Sequence, residues 1–253
     1  MSANGESHTT IQTIAPGQAP QTRQEDTTVR LQAIERVVTV DPRGKPLETE
    51  YTIERFESVD ATGTHDVLHP GQVLDVVRGA RGTEPQLTVG GAAADPAVRR
   101  ALSVVATLTV DDTTDDDIFG SAQRQAIGAT WPADGDVAQR ELARTGQNAT
   151  LTGQTTLVRR AASHGIDCLE FSSQLNGTIN GAPNLPAGIV FRSGSMRSTM
   201  RAVLPVTVTL PEVTNSIDMT MESVTERAIG GSGTRGEVHV TVRRRKEQTR
   251  TRL

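Results

Sequence analysis

Apolar residues recur at every second position through long stretches of this chain, and nothing else in the sequence constrains the fold as strongly. Val29, Leu31 and Ala33 alternate with Arg30, Gln32 and Ile34, and Val206/Val208/Leu210, Ile217/Met219/Met221 and Val238/Val240/Val242 carry polar residues between them. A period of two sends alternate side chains to opposite faces of an extended strand. One face is then buried and the other solvated, the signature of antiparallel sheet. The expected fold is therefore mainly β, α+β at most: a large twisted antiparallel sheet, a half-barrel or a two-sheet body with one to three short helices.

Further strands are expected at Tyr51 to Phe56, Val73 to Val77 and Leu87 to Val89, then from Thr155 to Arg160, Ile166 to Leu175 and Met200 to Leu210. A phase slip between Ile53 and Phe56 predicts a bulge, and Asn176-Gly177 reads as a hairpin turn, with the Asn180-Gly181 that follows leaving its register open. Three segments change to helical period. Asp95 caps a helix that has Pro96 at its first position and Val98, Leu102 and Val105 on one face. Asp115-Asp116-Asp117 reads as the acidic first turn of a short helix, and residues 136–144 read as another. No fixed repeat of 20 to 50 residues is expected.

Residues 1–26 hold only Ile11 and Ile14 as large apolar anchors among Thr, Gln, Ser, Pro and Gly, too few to offset the entropy of ordering them alone. They are expected to form a flexible arm, followed by a single β-rich domain over 27–245 and a basic tail over 246–253. One Trp, one Tyr and four Phe cannot supply the aromatic girdles of an outer-membrane barrel or stacking platforms for single strands. The net charge of -4 gives no field that attracts phosphate backbones, so no nucleic-acid partner is expected. The start of the chain lacks the basic and apolar regions of a signal peptide, and no run of about 18 apolar residues exists. An exported form would carry a leader ahead of Met1.

Leu68-His69-Pro70-Gly71-Gln72-Val73-Leu74, Ile127-Gly128-Ala129-Thr130-Trp131 and Gly165-Ile166-Asp167-Cys168-Leu169-Glu170 follow one another in an order that resembles a loose group of uncharacterised exported bacterial β proteins and lipoproteins. In that group a long hairpin precedes a Gly-x-x-Trp element and a C-terminal run of strands. The resemblance spans about residues 28–245. It implies a bacterial envelope or periplasmic location and no known activity.

The candidate chemistry is sparse. His65 and His69 stand four apart but are bracketed by Gly63 and Pro70, which favours exposed loop histidines over a metal pair. The acidic run from Asp111 to Asp117 lacks the ordered ligand spacing of a calcium loop. Cys168 and His164 would lie about 13 Å apart along one strand, too far for proton transfer, so Cys168 reads as structural. Gly230 to Gly236 lacks the Gly-Lys-Ser/Thr ending of a phosphate cradle. No catalytic residue, cofactor or metal set is expected.

What remains is a non-enzymatic binding or structural protein of the bacterial envelope, in which the face lined by Val206, Val208, Leu210, Ile217, Met219 and Met221 is either a packed core or the wall of a cavity for an apolar small molecule or lipid. The first alternative is a subunit that self-associates by strand addition through its ends, using Ile11, Ile14, Arg243, Arg244 and Arg245. The second is a metal-dependent enzyme built on His65, His69 and the acidic run.

Overall fold

The computed structural model describes residues 1–42, 46–79, 83–106, 115–144, 148–163, 165–181, 185, 188–207, 213–228 and 235–250. Thirteen strands form one open antiparallel sheet. In chain order they are β1 (Ser2–Ile14), β2 (Gln21–Val40), β3 (Pro46–Asp60), β4 (Gly63–Leu68), β5 (Val73–Val77), β6 (Gln86–Val89) and β7 (Ala92–Ala93). After helices α1 (Pro96–Val105) and α2 (Asp115–Phe119) come β8 (Thr130–Pro132) and α3 (Gly135–Arg144). Five long strands finish the chain: β9 (Asn148–Ser163), β10 (Ile166–Gly181), β11 (Ile189–Pro205), β12 (Thr214–Ala228) and β13 (Arg235–Thr249). The spatial order is β7-β6-β5-β3-β2-β1-β13-β12-β11-β10-β9-β8, with β4 paired to β3 off this path. Among the described residues no helix is long and apolar enough to cross a membrane.

The first and last strands are neighbours near the middle of this sheet. Ser2 lies opposite Thr249 on β13 and opposite Gln32 on β2, and the pairing runs on to Ile14 opposite Glu237. The expected flexible arm of residues 1–26 is thus corrected: it is strand β1, a turn and the start of β2. The composition misled because α1 presses so closely on this strand that only small side chains fit. A Cβ on Gly5 would stand 2.4 Å from the Val104 carbonyl oxygen, and neighbouring Ala3 is buried. Residues 246–249, expected as tail, likewise belong to β13.

Helix α1 forms as its sequence dictates. Asp95 accepts a hydrogen bond from the Ala97 amide at 2.7 Å, Pro96 occupies the first turn, and Val98, Ala101, Leu102 and Val105 are buried. This face packs in a cluster with Val29, Leu31, Ile53, Phe56 and Leu74. A second cluster collects Ala133, Ala138, Ala149, Leu151, Leu175 and Met196, with Ile118, Phe119 and Leu142 against it. The sheet therefore carries two separate cores, each under its own helical cover. The bulge expected between Ile53 and Phe56 is present: Gln32 faces Arg55 and Ala33 faces Ile53, which leaves Glu54 as the extra residue.

One expected turn and part of one expected strand are corrected. Asn176-Gly177 lies inside β10, with Asn176 opposite Arg197 and Gly177 opposite Met196. Glycine is needed there for space, since a Cβ would meet Leu151 Cδ2 at 2.2 Å. Strand β11 ends at Pro205, whose nitrogen has no hydrogen to donate to a ladder, so Val206 falls on a bend and does not continue an alternating strand.

Carboxylates on the sheet are held by arginines on adjoining strands. Glu170, 4% exposed, accepts from Arg159 Nε and from Arg201 at 2.6 Å each. These two partners hold its carboxyl below the usual range against the opposing effect of burial. Glu57 is held low first by Arg55, two residues away on its own strand, and also by Arg30 on β2. Tyr51 has its hydroxyl pushed upward, first by burial and then by the charge of Glu35, a carboxylate that also accepts from Arg250 at 2.7 Å.

Candidate functional site

The register brings apolar residues of three sequence-distant strands onto one patch of the helix-covered face. Leu157 on β9 lies opposite Phe171 on β10, which lies opposite Ala202 on β11. One step along, Leu169 faces Leu204; one step the other way, Ser173 faces Met200. This patch is the wall of a cleft of about 1280 Å³. Its deeper polar pair, Thr155 and Ser173, is buried and mutually satisfied, with the hydroxyls 3.0 Å apart. Nothing on the wall is left to attract water, so the surface presented is apolar.

The opposite side of the cleft is polar and comes from α2, residues 120–125 and β8. Trp131 holds this cover in place. Its indole Nε1 donates to the Phe119 carbonyl at 2.9 Å, and its ring meets Phe171 edge to face with centroids 6.3 Å apart. The Asp134 amide donates to the Ile118 carbonyl at 2.7 Å, a second tie between α2 and the chain after β8. Gln125 closes the loop by donating to Ser121 Oγ at 2.7 Å. The three aspartates of α2 and Arg124 line the rim. Among the described lining residues there is no His or Cys. An apolar wall under a polar rim suits an apolar or amphiphilic molecule.

The residues named from the sequence fall differently. Ile217, Met219 and Met221 are on β12, opposite Met200, Ser198 and Met196, and so on the same face as the wall. They do not line the cleft. Met219 and Met221 pack against the second core. Val206 is 48% exposed on its bend, and Val208 and Leu210 lie outside the described residues. The cleft wall repeats the same period-two signal on β9, β10 and β11; alternation cannot say which apolar face a helix leaves uncovered.

The terminal residues offered for strand addition are already paired, all but Ile14 on both sides. Ile11 lies between Val240 and Arg23, and Arg243, Arg244 and Arg245 lie between Thr220, Met219 and Asp218 on one side and His8, Ser7 and Glu6 on the other. Ile14 faces Glu237. Their main-chain groups are therefore engaged within the sheet, which removes them as free edges.

His65 is in strand β4 rather than a loop, with Nε2 2.7 Å from Thr62 Oγ1 and 3.4 Å from Asp60. His69 is 3.6 Å from Asp66. Among the described residues no three of His, Cys, Asp and Glu gather as a metal set. Asp111 to Thr114, His164 and Gly230 to Thr234 lie outside the described residues. Cys168 is fully buried, its Sγ 3.5 Å from the Ile166 carbonyl.

No family model and no curated protein matches the chain. Two solved structures are similar to it along nearly all its length. A DUF1329 family protein from Desulfovibrio piger is 12% identical, with 100% of this chain and 87% of that one covered and a TM-score of 0.19. A LolA superfamily protein from Nitrosomonas europaea is 10% identical, with 99% and 87% covered and a TM-score of 0.16. Superposition at that level carries no argument about fold or activity, and neither likeness shows the group to which the Gly-x-x-Trp element points.

Proposed function

We propose that the protein is a non-enzymatic binding protein for an apolar or amphiphilic small molecule, a lipid above all, held in the cleft between β9–β11 and the α2 cover. The carrying observation is the wall of Leu157, Leu169, Phe171, Ala202 and Leu204 beside a cleft of about 1280 Å³. That volume lies a little above the range of about 300–1,000 Å³ usual for small-molecule sites. The polar rim matches a ligand with a hydrophilic end. Work in the bacterial envelope is supported by the motif resemblance in the sequence.

Trp131 lines the cleft and is the single indole of the chain, so it reports occupancy directly. Palmitate is expected to change its emission saturably and to displace a bound naphthalene sulfonate dye. Leu204→Glu places a carboxylate on the wall, which disfavours an apolar occupant, and should weaken palmitate by more than about tenfold. Equal palmitate binding by Leu204→Glu and the unaltered chain, or none by either, would overturn this reading.

A further inference from the structure

The chain has five methionines, and four of them, Met196, Met200, Met219 and Met221, lie on two adjacent strands. Register puts all four on one face. Met196 is directly opposite Met221, and Ser198, between the two methionines of β11, is opposite Met219. Directly opposed Cβ atoms stand about 4.5–5.5 Å apart and diagonal ones about 7–8 Å, so Met196, Met219 and Met221 originate within one small triangle, while Met200 is diagonal to Met219 and about 13 Å along β11 from Met196.

Their surroundings are apolar. Met196, Met219 and Met221 belong with Ala133, Ala138, Leu151 and Leu175 under α3, while Met200 lines the cleft and gives the group a path to solvent. Across β13, Met219 faces Arg244, which is exposed. Thioethers are neutral, polarizable donors that need lose no proton to bind, and soft donors of this kind select Cu(I). Among the residues directly opposite these methionines on the neighbouring strands there is no carboxylate or imidazole to attract a hard cation or to favour Cu(II). We propose that the thioethers of Met196, Met219 and Met221 form a binding site for a soft monovalent metal ion, Cu(I), with Met200 at its entrance. The site does not depend on the cleft being occupied.

The test is an anaerobic titration of the full chain with Cu(I) in competition with a chromophoric Cu(I) chelator. One equivalent should be retained per chain, unchanged in Cys168→Ser. Combined Met196→Leu, Met219→Leu and Met221→Leu keeps apolar volume and should weaken retention by more than about tenfold, since even groups outside the ligand set can be worth that much. Retention by the folded triple variant equal to that of the unaltered chain overturns the proposal, as does loss of the ion in Cys168→Ser. A second measurement needs no variant. Methionine-methyl resonances of the unaltered chain are followed as Ag(I), a redox-inert stand-in, is added. Saturable shifts of the Met196, Met219 and Met221 methyls, with Met1 unmoved, support the site; shifts of Met1 alone, or of none, overturn it.

Discussion

Glu170 ties three strands together through a single side chain. Its carboxylate is buried while Arg159 and Arg201 remain about two-thirds exposed, so removing the negative charge leaves no cation stranded in the interior. Because the folded carboxyl titrates below the unfolded value of about 4.3, its contribution is complete above that pH and disappears as pH falls through the folded value. Glu170→Gln should therefore lower the urea midpoint at pH 7, and by progressively less as pH is taken below about 4.3 and through the folded value. A difference that stays constant across this range would show that packing, not charge, is what Glu170 supplies. Gly5 makes a steric case at the same scale. Gly5→Ala must push α1 off the sheet or strain β1, costing about 1–3 kcal/mol, whereas Gly181→Ala, with open space around it, should change stability by less than about 0.5 kcal/mol. Thermal melts of the two variants check both values.

Among the elements, β1 carries the greatest consequence for so weakly apolar a segment. Thirteen residues join β2 to β13, and without them two interior strands lose their partners at once. Deleting residues 1–14 should abolish the cooperative urea transition seen by circular dichroism. Retention of the full transition would return this segment to the status of an arm. Much of the element pattern was legible in the sequence: the Asp95-Pro96 helix start, the acidic opening of α2 and the bulge before Phe56 all follow from local chemistry that the fold obeys. The role of β1 was not legible, because Ala3 and Gly5 are buried for lack of space rather than for hydrophobicity. The cleft was hidden for a different reason. Its wall takes two or three residues from each of three strands, and only the pairing of Leu157 with Phe171 and Ala202 makes them one surface.

For the whole molecule, the decisive arrangement is one continuous sheet bearing two independent cores. Leu102 is buried in the first and Leu151 in the second. Each leucine truncated to alanine should cost about 2–5 kcal/mol, and the double variant should show the sum within about 0.5 kcal/mol, since the sites share no neighbours. A larger coupling in denaturant titrations would mean that the two helical covers communicate through the sheet. The same sheet is closed at its middle by the strands that are first and last in sequence. On a ribosome, β1 and β2 emerge as a hairpin whose open side waits for a partner more than two hundred residues away. Until β13 appears, long unpaired edges face the cell interior, where they can template aggregation. Synthesis of this fold thus sets an interval of vulnerability as long as translation of everything from β1 to β13, and its yield in cells should depend on chaperones that shield nascent chains far more than its finished stability would suggest.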